Sequence, residues 1–255
     1  MIQNGFRTRV PALLALSLAL GGCATTPGRT TADDPWESLN RGIYRFNDVA
    51  DRATLKPVAK AYEKVTPDWM KTGVRNFFAN LGYPTTVLNQ LLQGKQRLAF
   101  QDTGRLVINT VAGVGGLIDV ASIGGLTANE EDFGQTLGVW GVPSGPYVNL
   151  PLLGPSSLRD APSRIVDYFT GVPRYVDVQW EVEWSARALE VVGFRADLFP
   201  VEAQIATVFD RYAFMRDAWT QRREYMIFDG SPPEPTFDDE PLDEAPVAPA
   251  APPAP

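Results

Sequence analysis

The sequence predicts a mainly α-helical protein, on three observations. Between residues 34 and 228 apolar side chains recur at three- and four-residue spacing, the period of one face of a helix. Several prolines fall where these runs begin and a glycine where one ends, as expected for the first helical turn and the C-terminal stop. No run shows sustained apolar and polar alternation bounded by hairpin turns, the signature of strands.

Taken in order, the chain opens with Arg7 and Arg9, the uncharged run Val10 to Leu20, then Gly21, Gly22 and Cys23. This is the pattern of a secretory signal peptide, residues 1–22. Its apolar core is too short for a spanning helix, which needs roughly 20 residues. Leu20-Gly21-Gly22-Cys23 resembles a bacterial lipobox and contains the one cysteine of the chain, so Cys23 is the expected lipidation site. Two or more acyl chains, at about 0.8 kcal/mol per buried CH₂, make a stable anchor where one is marginal. The alternative is ordinary cleavage that leaves a free thiol. Ala24 follows, not an Asp, so by analogy with lipoprotein sorting the anchor is expected on the periplasmic side of an outer membrane, with residues 23–33 as a lipidated linker.

A helical body follows over residues 34–228. Asp34 as cap, Pro35 in the first turn and Glu37 three beyond the cap form a capping box. Trp36, Leu39, Ile43, Phe46 and Ala50 then make one apolar stripe, with Arg41, Arg45 and Asp48 off it. Pro57 and Pro67 restart shorter helices, the second carrying Trp69, Val74, Phe77, Phe78 and Leu81; Pro84 begins another, which Gly94 stops. Near the other end Val178–Phe194 and Pro200–Phe228 are expected to be helical, the latter with Ile205, Val208, Phe209, Tyr212, Met215 and Trp219 on one face.

The middle differs in kind. Residues 106–126 carry one charge, Asp119, and enough apolar length to cross a bilayer, but five glycines argue against one straight span. Two readings remain: a buried helical hairpin, or a pair of half-embedded segments whose Asn109 and Asp119 face a polar interior. Residues 133–160 hold glycines and prolines too densely for a long helix and suit a rigid, turn-rich loop or hairpin. It displays Phe133, Leu137, Trp140, Tyr147 and Leu150, residues suited either to a headgroup boundary or to a core.

Asp229 to Pro255 contains seven acids, no base and nine prolines, and is expected to be a disordered tail. Those seven acids match the formal charge of −7, whereas Cys23 to Phe228 holds 21 basic and 23 acidic residues, net −2. The body is therefore nearly neutral, and neither the tail nor the body suits nucleic acid. With no histidine and one cysteine, Ser-His-Asp, Cys-His, HExxH and CxxC arrangements are excluded. The glycine run 113–116 lacks both a Gly-Lys-Ser/Thr and the GxGxxG spacing of nucleotide loops. The expectation is a non-enzyme with no catalytic residue, cofactor or metal.

The ordered series of the lipobox, DPWESLNRGIYRFND (34–48), NTVAGVGGLIDVAS (109–122) and DFGQTLGVWGVPSGPYVNLPLLGPSSLRD (132–160) resembles the VacJ/MlaA family of outer-membrane lipoproteins. The resemblance covers Asp34 to Phe228. It implies a ring-shaped, membrane-embedded helical lipoprotein with a Gly/Pro-rich hairpin loop and an amphipathic central pore, lying in the periplasmic leaflet beside trimeric outer-membrane porins. Phospholipid misplaced in the outer leaflet would pass through it to a periplasmic lipid-binding carrier of the Mla pathway, keeping the membrane asymmetric. By the same resemblance Ile43 faces the pore, Phe46 and Asn47 control lipid entry, and the hairpin around Trp140, Val142, Pro146 and Tyr147 is a gate. Asp48-Val49-Ala50 departs from the more aromatic, Asn-rich family form and is one residue shorter before Pro57.

Arg105, Arg159 and Arg164 are candidate headgroup contacts because guanidinium forks suit phosphate; each is equally open to being a structural ion pair. The rival from another class is a structural lipoprotein that binds porins and moves no lipid.

Overall fold

A computed structural model describes residues 34–171 and 179–233. The signal peptide, Cys23, the linker up to residue 33 and the tail from residue 234 lie outside the described residues.

The first half is helical: α1 (Glu37–Ala50), a π-helical segment (Asp51–Leu55), α2 (Lys56–Val65), α3 (Asp68–Leu92), α4 (Gln96–Val111) and the short α5 (Val120–Ile123). Then come α6 (Phe133–Val139), a hairpin of β1 (Tyr147–Leu150) and β2 (Gly154–Ser157), and α7 (Asp160–Thr170). The chain closes with α8 (Trp180–Asp197), α9 (Phe199–Gln204), a 3₁₀ turn (Ile205–Thr207) and α10 (Arg211–Ile227). The strands are antiparallel, Tyr147 opposite Ser157 and Leu150 opposite Gly154. The mainly α class is as expected, and the punctuated loop is a short helix followed by a hairpin.

Several boundaries differ from the sequence expectations for identifiable reasons. Asp34 does not cap α1: its buried carboxylate accepts from the Asn40 amide at 2.8 Å and from the Tyr212 hydroxyl, tertiary partners that outweigh a local cap. Pro57 sits in the first turn of α2, yet the π-helical segment carries the chain from α1 into α2 without a break. Pro84 lies inside the 25-residue α3 rather than opening a helix; packing of α3 along α4 holds the helix through a residue that costs about 3 kcal/mol in an interior. The helix expected over 200–228 breaks before Arg211, where Asp210 caps α10 through Ala213 N–H at 3.1 Å and forks to Arg41 at 3.0 and 2.7 Å. Ile205, Val208 and Phe209 therefore share no helical face with Tyr212. The body also runs past Phe228, since Asp229 accepts from Lys95 and Gly230 N–H bonds Tyr225 O at 2.8 Å.

The packed elements close a circuit: α1 leads through the π-helical segment into α2, α2 packs on α8, α8 on α3, α3 on α7, α7 on β2, and β1 returns to α1. Among the described residues no helix is long and apolar enough to cross a membrane.

The interior is polar. The largest fully buried side chains are Arg105, Gln90, Gln135, Asn40, Asn89 and Thr136, followed by Asp34 and Asp102, while the buried apolar residues are alanines and three tyrosines. The bulky apolar side chains point outward: Trp36 just before α1, Leu39 and Phe46 on it, Trp69 on α3, Phe100 and Val111 on α4, Trp180, Trp184 and Phe194 on α8. Water-soluble domains do the reverse and rarely expose large contiguous apolar patches.

Residues 106–126 form the end of α4, a glycine turn and α5 around a polar centre. The Arg105 fork holds Asp119 at 2.9 and 2.8 Å, and its Nε donates to the Tyr83 hydroxyl at 2.6 Å. Asn109 donates to Asp119 at 2.9 Å and accepts from Ala121 N–H at 2.9 Å. These bonds and the Ser122 hydroxyl hold the Asp119 carboxyl down at about 2 against the raising effect of burial. Gly116, at φ +95°, lets the turn close: a Cβ there would come within 2.7 Å of Asn80.

Candidate functional site

Helix α1 and the hairpin are joined by two asparagines seven residues apart, hence two turns apart on one helix face. Asn40 is buried; its amide donates to Tyr147 O at 3.0 Å and its carbonyl accepts from Asn149 N–H at 2.9 Å. Asn47 repeats the pattern at the turn end, donating to Leu150 O at 2.9 Å and accepting from Leu152 N–H at 2.7 Å. Each side-chain amide serves as the missing neighbour of an edge strand, which otherwise leaves its backbone groups unpaired. The hairpin tip carries Leu152 at φ +63° beside Leu153, both exposed.

The remaining gate candidates fall into two groups. Phe46 is 55% exposed on the outer face of α1, and Ile43 is half-buried one turn earlier. Trp140 is 54% exposed at the end of α6, its indole N–H on Leu92 O at 3.1 Å and its ring edge-on to Phe133. Val142 is exposed, Pro146 half-buried. Tyr147 sits elsewhere: it is 4% exposed, wedged edge-on against Tyr212 and Trp219 at 6.2 and 6.0 Å. It anchors the buried root of the hairpin, away from the exposed tip.

A cavity of about 530 Å³ lies between α3, α7 and α8. Phe77, Phe78 and Leu81 of α3, Tyr168 of α7 and Val182 of α8 give it apolar walls; Arg164, Asp167, Glu183, Arg187 and Glu190 bring charge to it. This combination of apolar lining with a few placed polar groups is that of a ligand site. Asp167 accepts from Phe133 N–H at 2.9 Å, but burial pushes its carboxyl up to about 6.

A family model described as MlaA lipoprotein matches residues 32–226. The chain belongs to the MlaA family. Among MlaA relatives, the "Intermembrane phospholipid transport system lipoprotein MlaA" of Escherichia coli is 33% identical over 229 residues, 88% of this chain and 90% of its own length. The protein of that name from Haemophilus influenzae is 32% identical, over 88% and 92%. A solved structure described as "Structural basis for maintenance of bacterial outer membrane lipid asymmetry" superimposes with a TM-score of 0.68 at 33% identity, covering 76% of this chain and 98% of that one.

Within this MlaA fold the three candidate arginines separate. Arg105 is 1% exposed and fully engaged with Asp119, Tyr83, Ser122 and Leu126 O, a structural ion pair with no fork left for a lipid. Arg159 is equally committed, to Asp160 at 2.8 and 3.2 Å and to Val142 O at 3.1 Å. Both headgroup expectations are corrected, because burying a guanidinium requires partners inside the protein. Arg164 alone of the three reaches the cavity. Sequence reading missed Asn40, Asn149 and the carboxylates Asp167 and Glu183; the Asn40 and Asn47 spacing on an amphipathic helix was the available signal for the first.

Proposed function

We propose that the protein is the outer-membrane component of intermembrane phospholipid transport, taking phospholipids misplaced in the outer leaflet and passing them toward the periplasm, so that lipid asymmetry is maintained. The observation that carries the reading is the inverted distribution of side chains, with guanidinium, carboxylate and amide groups inside and Trp, Phe and Leu outside. Such a body has its favourable surroundings in hydrocarbon, where polar groups must be satisfied internally. An amphiphile needs apolar contact for its tails and a polar route for its headgroup, and the circuit of helices supplies both.

In this reading Cys23 anchors the chain on the periplasmic side of the outer membrane, a trimeric porin flanks the body, and a periplasmic lipid-binding carrier receives the lipid. Ile43, Phe46 and Trp140 border the entry, with Val142 and Pro146 in the connection that turns α6 into the hairpin. Asn47 is the latch: its two bonds to the exposed end of the hairpin can open while Asn40 and Tyr147 hold the buried end. Arg164 meets the headgroup. No bond is made or broken in the lipid, so no catalytic group, cofactor or metal enters, and direction comes from the downstream partners.

The test is the amount of phospholipid in the outer leaflet of cells that lack the protein and of cells carrying Trp140→Glu or a deletion of Phe46 and Asn47. A rise in the null strain, and altered asymmetry in the variants, is expected. If none of these strains changes, the transport reading fails and a porin-bound scaffold replaces it.

A further inference from the structure

Two charged side chains of the cavity between α3, α7 and α8 make no ion pair among the described residues. On α7, Arg164 donates Nη1 to Leu153 O at 3.1 Å and Nη2 to Pro155 O at 2.8 Å, and among the described residues it has no carboxylate partner. Across the cavity on α8, Glu183 is half-buried, and among the described residues its carboxylate makes neither a hydrogen bond nor an ion pair. The other charged groups have partners, which for Asp167 are neutral donors. Arg187 pairs with Glu190 at 3.0 Å, and Asp167 takes the Phe133 N–H at 2.9 Å and the Asn89 amide at 3.4 Å.

An ionised group taken from water without a counter-charge is costly, and burial draws the Arg164 pKa down accordingly. A phosphate would relieve Arg164, but a lipid bearing phosphate alone would add negative charge beside an unpaired Glu183. A headgroup with phosphate and ammonium cancels both charges at once. Its tails would lie along Phe77, Phe78 and Leu81, which line the same cavity.

We propose that this cavity selects zwitterionic, ammonium-bearing phospholipids, with the phosphate on Arg164 and the ammonium at Glu183. The proposal rests on the transport reading and adds to it a headgroup preference and a residue that sets it. Because the Glu183 carboxylate makes no hydrogen bond or ion pair among the described residues, its replacement tests the preference without breaking a side-chain contact.

The full chain in detergent is exposed to vesicles of equimolar phosphatidylethanolamine and phosphatidylglycerol, repurified, and its retained lipid counted by mass spectrometry. The natural protein should retain phosphatidylethanolamine over phosphatidylglycerol by about threefold or more, the scale of a partly solvated ion pair. Glu183→Gln should lower retention of phosphatidylethanolamine to the level of phosphatidylglycerol, and Glu183→Lys should reverse the preference. Arg164→Gln should lower retention of both lipids. Equal retention by the natural protein, or a preference that survives Glu183→Gln, overturns the headgroup assignment and leaves lipid passage standing. Retention of no phospholipid at all overturns the transport reading with it.

Discussion

Arg223 of α10 is the joint between three elements, and its removal yields a prediction with a sign as well as a size. Its guanidinium bonds Asp132, the N-cap of α6, at 2.6 Å through both Nη1 and Nη2, and Asp160 of α7 at 3.0 and 3.1 Å. Both carboxyls are thereby held below the usual carboxylate range against the raising effect of burial. Arg223→Met keeps the length of the side chain and deletes the charge. Breaking a buried pair by removing one partner costs about 3–5 kcal/mol. The lower end applies here, because Asp160 retains Arg159 at 2.8 Å and the Asp132 side chain is 36% exposed. At about 2–4 °C per kcal/mol for a domain of this size, the midpoint should fall by roughly 6–12 °C. The assay is thermal unfolding of the full chain in detergent micelles, followed by circular dichroism at pH 8 and pH 5. In the natural protein the stability contributed by Asp132 and Asp160 is present above the unfolded carboxylate pKa and is lost only as pH falls through their lower folded values. It should therefore hardly differ between the two pH values. In the variant Asp132 is buried without a guanidinium while Asp160 keeps Arg159, so the Asp132 carboxyl is the one whose folded pKa rises, and protonation toward pH 5 relieves it. The deficit should shrink at pH 5, and Arg223→Lys should fall between the two proteins. A deficit equal at both pH values, or below about 2 °C, would show that packing rather than charge makes this joint.

Three further outcomes follow from the geometry. Gly134→Ala would place a Cβ 2.3 Å from Arg223 Nη2 and 2.4 Å from Asp160; it should cost at least as much as Arg223→Met, and in a double variant the two losses should fall well short of their sum. Asn47→Ala removes the bonds to Leu150 O and Leu152 N–H, and at about 0.5–1.5 kcal/mol for an ordinary hydrogen bond amide exchange at Leu152 should accelerate about two- to tenfold while Asn149, held by Asn40, keeps its protection; acceleration at both would remove the distinction between latch and root. The folded state raises the Asp167 carboxyl to about 6 from 3.8, so this group binds its proton more tightly when folded and weakens the protein as pH climbs from about 4 through 6. Asp167→Asn should abolish that slope and raise the melting temperature at pH 7.5, and a lower melting temperature there would contradict it.

Helical periodicity was legible apart from some boundaries, but its direction was not. Leu39 and Phe46 mark one face of α1 as expected, and that face is exposed, because hydrocarbon and a protein core select the same side chains. The strands were too short to show alternation: four residues each, one of them reading Gly-Pro-Ser-Ser. Asp34 read as a cap because local rules see three residues ahead, whereas its partner Tyr212 is 178 residues away. Which arginine reaches the cavity was hidden for another reason. Arg105, Arg159 and Arg164 carry the same side chain, and only the fold shows that Asp119, fourteen residues on, and Asp160, the very next residue, turn toward the first two. The turn-rich loop, by contrast, was readable from its glycines and prolines, since backbone chemistry acts locally.

The bonds that tie the chain's extremes together bear on how it is made. Asp34 and Arg41 stand at the start of the folded body and meet Tyr212 and Asp210 near its end, so the first helix emerging during synthesis waits for the last before its polar partners exist. Contacts of such sequence separation are slow to form, and until they do the chain displays both its apolar exterior and its unpaired charges, a state prone to aggregation. A stop codon before Asp210 would thus undo the opening segment, some 170 residues upstream, as surely as the missing one. The order of manufacture leaves the incomplete chain exposed until its last helix is in place.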